Sequence, residues 1–281
     1  MPKPFRVIAH RGASAHAPEN TLPAFERAVA LGASEIELDV RFSADESIMV
    51  FHDDDLQRKT GLVGRVRHYP SEVLRKTEIG AWFDREHPEI EESFEGTTLV
   101  SLDEVLRQLG SRVHYHIEIK GWEDWLPLRL FQTIDRFGLL DRVTITSFSM
   151  RPLAQMRGLS GDIPICFLLR DAFDAVRTAE FRPELEGADA ADVQDYWIDA
   201  AAARGFQQVG IRAADVSPRT LARAVGHGLE IRGWGIRTEA DLEDLVRLGV
   251  IGATVDWPGR GLQIVERLDG RSEADARLAA P

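Results

Sequence analysis

The sequence predicts an α/β protein built as a (β/α)8 TIM barrel, with a small insertion after the second barrel strand region. Three observations lead there. Apolar runs of strand length recur along the chain, and between most of them lies a segment with helix start and stop signals. Strands that alternate with single helices imply βαβ units and a parallel sheet. About eight such units fall within roughly 250 residues, which suits a closed barrel better than an open sheet.

The runs, in order, are FRVIAH, SEIELDV, SIMVFH, VHYHIEIK, RVTITSF, PICFLL, QQVGIRA, LEIRGWGI and GATVDW. Asn20 and Thr21 ahead of Pro23 open a helix after the first. Ser101 and Glu104 read as a capping box, with Leu102, Val105, Leu106 and Leu109 on one face and Gly110 at the stop. Ser217 followed by Pro218 starts another helix, where the missing proline N–H does no harm. Thr238 and Asp241 repeat the capping logic, with Leu242, Leu245 and Val246 as the buried stripe and Gly249 at the end. Two stretches exceed a minimal barrel: Asp53 to Thr98, read as an insertion on one barrel loop, and Asp171 to Arg204, with alanine-rich helical pieces. The expected organisation is one barrel domain over residues 1–270, with the insertion at about 53–98 and a flexible tail over 271–281.

Composition narrows the function classes. With 281 residues, 44% hydrophobic and 28% charged, the chain has material for a substantial core. A formal charge of −12 argues against a broad nucleic-acid or anionic-membrane surface, while leaving room for a local small-anion site. Cys166 is the single cysteine and lies in an apolar run, which excludes an internal disulfide and reads as core rather than nucleophile. No run approaches the ~18 apolar residues that span a bilayer, and the N-terminus has no signal-peptide pattern. A cytoplasmic protein without stable membrane insertion is expected; the oligomeric state is not legible.

Side chains alternate across a strand, so Glu35, Glu37, Asp39 and Arg41 share one face while Ile36, Leu38 and Val40 share the other. Taken alone, EIELDV would also serve as an antiparallel strand with one wet face. VHYHIEIK repeats the arrangement, with His114, His116, Glu118 and Lys120 on one face, so two strands supply a shared polar interior. Buried carboxylates need hydrogen bonds, cations or a metal. Glu37, Asp39 and Glu118 are hard oxygen donors of the kind Mg²⁺ or Ca²⁺ takes; zinc suits them less. His114 and His116 read as interior polar residues rather than ligands. At strand ends stand His10, Arg11, His52 and Lys120, where barrel enzymes carry their chemistry. Two histidines can exchange protons while the cations stabilise phosphoryl oxygens, a combination suited to phosphoester hydrolysis.

HRG at 10–12, PENT at 18–21, ELD at 37–39 and HDDDLQRKTG at 52–61 resemble the glycerophosphodiester phosphodiesterase family, as do IEIK at 117–120, TSF at 146–148 and TVDWP at 254–258. The resemblance implies a TIM-barrel phosphoric diester hydrolase that cleaves small-molecule glycerophosphodiesters to glycerol 3-phosphate and an alcohol. It implies His10 and His52 as the acid/base pair and Glu37, Asp39 and Glu118 as ligands to one divalent cation, Mg²⁺ or Ca²⁺. Arg11 and Lys120 match phosphate-holding positions, and Trp234 matches a residue on the glycerol side, although a tryptophan there is also a packing residue. The chain departs from the family in Trp234-Gly235-Ile236-Arg237, which adds a cation, and in Arg58-Lys59-Thr60. A sphingomyelinase D-like or lysophospholipase D activity, and a noncatalytic phosphodiester-binding barrel, are the competing readings.

Overall fold

The protein is described by a computed structural model covering residues 4–170, 185 and 188–278, with side chains described through residue 269. The stretch 171–184, within the expected alanine-rich helical region, lies outside the described residues, as do 279–281. Ten strands are present: β1 Arg6–Ala9, β2 Glu35–Phe42, β3 Ile48–Val50, β4 Val100–Ser101, β5 His114–Ile119, β6 Val143–Ser147, β7 Ile165–Leu168, β8 Gln208–Arg212, β9 Glu230–Trp234 and β10 Gly252–Val255. Eight of them, all but β3 and β4, run parallel in a closed barrel. β1 closes it by pairing with β10 on one side and β2 on the other.

The helices begin and end where their caps dictate. Thr21 accepts a hydrogen bond from the Ala24 amide ahead of helix Leu22–Ala30, and Ser101 and Glu104 form a capping box on Leu102–Leu109. Ser217 with Thr220 and Thr238 with Asp241 do the same for Pro218–Gly226 and Glu239–Leu248. Gly249 stops the latter in the left-handed conformation at φ 80°. The last helix, Pro258–Leu278, continues through most of the segment expected as a tail.

The hairpin β2–β3–β4 corrects one expectation. SIMVF is no barrel strand, because β3 pairs antiparallel with β2 (Val40 with Val50, Phe42 with Ile48) and then with β4. The reason is connection length: only residues 43–47 separate β2 from β3, too few for a parallel crossover of a dozen or more residues. β2 overshoots the rim, and β3 folds back so that the Phe51 amide donates to the Asp39 carbonyl at 3.0 Å. Residues between β3 and β4 then pack a separate apolar cluster of Leu56, Leu74, Ile79, Trp82 and Phe83 beside the barrel.

Within the barrel, β2 and β5 lie in register, pairing Glu35 with His114, Glu37 with His116 and Asp39 with Glu118. Ile36, Leu38, Tyr115 and Ile117 are fully buried in the core beneath the helices, so the alternation is partitioned as expected. Each buried apolar side chain of this kind contributes about 1.5–3 kcal/mol. The inward polar residues form tiers. In the deep tier His116 is shared between Glu35 at 2.7 Å and the buried Arg232 at 2.6 Å, and His114 reaches Thr144 at 2.8 Å. Burial, reinforced by Arg232, holds the His116 pKa well below the ordinary value, so both histidines are interior structural groups. Cys166 is fully buried, and burial pushes its thiol pKa up, as befits an inert position.

Candidate active site

The loop after β1 turns sharply. Arg11 sits at φ 53° and Gly12 at φ 87°, and a side chain on Gly12 would lie 2.6 Å from the Ala24 backbone. Only glycine meets both demands without strain, which seats the loop against the first turn of helix Leu22–Ala30. The left-handed turn aims the Arg11 amide at Glu37 Oε2, 3.0 Å away, and lets its guanidinium reach Glu19 at 2.8 Å and Asp39 at 3.3 Å. Burial alone would lower the Arg11 pKa, but the charges of Asp39, Glu19 and Glu37 outweigh it and keep the side chain cationic.

Glu37, Asp39 and Glu118 stand one tier above the structural histidines, at 3%, 1% and 7% exposure, with one oxygen from each within 4.8 Å of the others. Three carboxylates so close and so buried repel one another. Burial, compounded by Asp39 and Glu118, pushes Glu37 up to about 7. Burial would raise Asp39 as well, but Lys120, Arg11 and His52 hold it well below the usual range. Asn20 donates to Asp39 Oδ2 at 2.8 Å, whereas the buried Asp39 Oδ1 accepts no hydrogen bond among the described residues and lies 3.5 Å from Lys120 Nζ. An orphaned carboxylate oxygen within a cluster of hard donors fits a divalent cation. Lys120 also pairs with Glu118 at 2.6 Å.

A second acidic group, Glu19, His52 and Asp53, also meets the spacing of a metal site, but its cation is built in. The Lys59 ammonium, with its side chain fully buried, lies 2.6 Å from Glu19 and 3.1 Å from Asp53, over the rings of Trp82 and Phe51.

Each candidate acid/base histidine is held by its own aspartate. His10 Nδ1 lies 2.6 Å from Asp256 Oδ1, which also accepts from Ser14 Oγ at 2.8 Å. His52 Nδ1 lies 2.8 Å from Asp53 Oδ1, and the Arg41 guanidinium donates to the His52 carbonyl at 2.7 Å. Both rings therefore have Nε2 left for another partner. Burial and Arg11 would lower the His10 pKa, but the bond to Asp256 and the charges of Glu37 and Asp256 reverse this, and the net shift is upward.

A cleft of about 680 Å³ opens at the C-terminal ends of β5 to β9, where barrel active sites lie. His52, Glu118, Lys120 and Trp234 line it, with Phe148 edge-on to Trp234 at 5.3 Å. The indole N–H of Trp234 is buried without a partner among the described residues, which makes it available to a bound hydroxyl. Arg237 lines the same wall.

All the residues expected from sequence thus converge at one end of the barrel. What sequence reasoning missed is the support: Asp256, Ser14, Glu19, Asn20, Asp53 and the buried Lys59. PENT, HDDD and TVDWP contain most of them and were visible as motifs, but their roles depend on contacts such as the 246-residue separation between His10 and Asp256.

The model of the glycerophosphoryl diester phosphodiesterase family matches residues 10–260. A glycerophosphodiester phosphodiesterase of Bacillus subtilis is 28% identical, over 90% of this chain and 83% of that protein, and one from Bacillus altitudinis is 28% identical over 94% and 99%. Among solved structures, glycerophosphodiester phosphodiesterase of Agrobacterium tumefaciens superposes with a TM-score of 0.70 at 26% identity, over 91% of this chain and 97% of that one. An Oleispira antarctica phosphodiesterase in complex with the product sn-glycerol-3-phosphate shares the fold, with a TM-score of 0.77 at 21% identity over 93% and 96%.

Proposed function

Since the chain belongs to the glycerophosphoryl diester phosphodiesterase family and is a phosphoric diester hydrolase, we propose that it cleaves small-molecule glycerophosphodiesters with His10 and His52 as its acid/base pair. The products are glycerol 3-phosphate and an alcohol. The observation that carries the reading is two imidazoles, each tethered through Nδ1 by a separate aspartate, beside three buried carboxylates and two cations.

His10 is assigned as the proton donor, because its upward-shifted pKa favours the imidazolium. His52 takes the proton of the attacking oxygen, that oxygen bonds to phosphorus, the P–O bond to the alcohol breaks, and His10 protonates the departing alkoxide. The attacking oxygen is that of water, or of the glycerol 2-hydroxyl with water then opening the cyclic phosphate. Glu37, Asp39 and Glu118 are the residues that hold the divalent cation, Mg²⁺ or Ca²⁺, which when bound supplies Lewis acidity toward a phosphoryl oxygen. Arg11 and Lys120 neutralise charge on the remaining phosphoryl oxygens, and Trp234 orients the glycerol side. We infer a cytoplasmic location from the single buried thiol of Cys166, which suits a reducing compartment.

The acid and base assignments separate with two substrates. His10→Ala should lose about 100-fold or more on glycerophosphocholine but far less on a glycerophosphate ester of p-nitrophenol, whose leaving group needs no proton. His52→Ala should lose comparably on both. Near-wild-type turnover of glycerophosphocholine by both folded variants overturns the proposal.

A further inference from the structure

Resting on that reading of the site, we propose that the preferred alcohol carries its own negative charge, received by Arg170 and Arg237. The substrate class is a glycerophosphodiester whose headgroup bears a phosphate or a carboxylate.

Charge accounting in the cleft leads there. Five cations line it: Arg41, Lys120, Arg170, Arg212 and Arg237. Three are already engaged by the protein. Arg41 pairs with Asp54 at 2.8 Å, Lys120 with Glu118, and Arg212 with Asp215 at 2.7 Å. Arg170 and Arg237 form no ion pair with any described carboxylate. Asp241 feels the Arg237 charge, but its carboxylate accepts the Arg237 and Thr238 amides at the start of helix Glu239–Leu248 rather than the guanidinium. Arg170 Nε is buried with no hydrogen-bond partner among the described residues, an arrangement that favours an external acceptor.

The lining acids are committed in the same way. Asp54 answers Arg41, Asp53 answers Lys59, Arg58 and His52, and Glu118 belongs to the carboxylate cluster. Among the described residues, no lining carboxylate is left to attract an ammonium headgroup. The Phe148 ring does not serve one either, because it is already faced by two cations, Lys120 Nζ and the Arg170 guanidinium, each 5.5 Å from its centroid. Because the two cations share that ring, a diester phosphate at Lys120 and a second anion at Arg170 would lie beside the same side chain. In a protein of net charge −12, two unpaired guanidiniums in the substrate cleft select for anions locally.

The test compares glycerophosphoinositol with glycerophosphoinositol 4-phosphate, a pair that differs by one phosphate, at low ionic strength, with glycerophosphocholine as a cationic reference. The wild-type enzyme should show kcat/KM about tenfold or more higher for the phosphorylated member, and lowest for glycerophosphocholine. The double variant Arg170→Gln/Arg237→Gln should bring the ratio within the inositol pair close to one, and added salt should compress it in the wild type. A wild-type ratio at or below one, or a ratio that the double variant leaves unchanged, overturns the proposal while hydrolysis itself stands. Absence of glycerol 3-phosphate from all three substrates would instead defeat the functional reading on which it rests.

Discussion

Replacing Lys59 by Met tests the ionic scaffold behind His52. The substitution keeps the length and packing of the stem between Trp82 and Phe51 while removing the ammonium. Its nitrogen is out of solvent and bridges Glu19 at 2.6 Å and Asp53 at 3.1 Å, so its loss leaves two largely buried carboxylates without their shared cation. Breaking a buried ion pair from one side costs about 3–5 kcal/mol. Glu19 retains Arg11 and Asp53 retains Arg58, which places the expected loss at the lower end, near 3 kcal/mol. With a urea m-value of about 3 kcal/mol/M, the unfolding midpoint should fall by about 1 M. Adding Asp53→Asn to Lys59→Met should cost less than the two single changes summed, because the second removes the charge that the first strands. A midpoint shift under about 0.3 M, with no coupling between the two positions, would refute the claim that Lys59 is a buried structural cation.

Two further outcomes follow from the titrating groups. Asp256→Asn removes the main group that raises the His10 pKa, so the limb on which activity falls as pH rises through that pKa should move toward acid; a pH profile of kcat/KM on glycerophosphocholine reads it. Glu37, pushed up to about 7 by burial and its neighbouring carboxylates, must lose its proton to bind a metal, so calorimetry with Mg²⁺ or Ca²⁺ in buffers of different ionisation enthalpy should show close to one proton released at pH 6 and about a tenth at pH 8. Proton release that does not vary with pH, or full activity in excess chelator, would remove the carboxylate cluster from the mechanism.

Sequence was sufficient wherever the deciding physics is local. Alternation along Glu35–Phe42 and His114–Ile119 assigned Ile36 and Leu38 to the core and Glu37, Asp39 and Glu118 to the interior, because a strand has only two faces. The capping residues placed helix starts at Leu22, Leu102, Pro218 and Glu239 through hydrogen bonds spanning three residues. Even the antiparallel course of β3 was implicit in the five-residue connection, although the run SIMVF reads as a barrel strand when connection length is ignored.

Tertiary structure decided what depends on distant partners. Alternation along the strand sets Glu35 deeper than Glu37 and Asp39, but only the fold supplies its partner His116 and leaves an oxygen of Asp39 open within the cluster. Lys59 follows Arg58 in a polar run, and only the fold turns one outward and buries the other between Glu19 and Asp53. The protonation of His10 rests on Asp256, which barrel closure through the β1–β10 pairing brings to it. Alternation and capping act over a few residues, but the strength of a charge depends on desolvation and on which opposite charge closure places beside it.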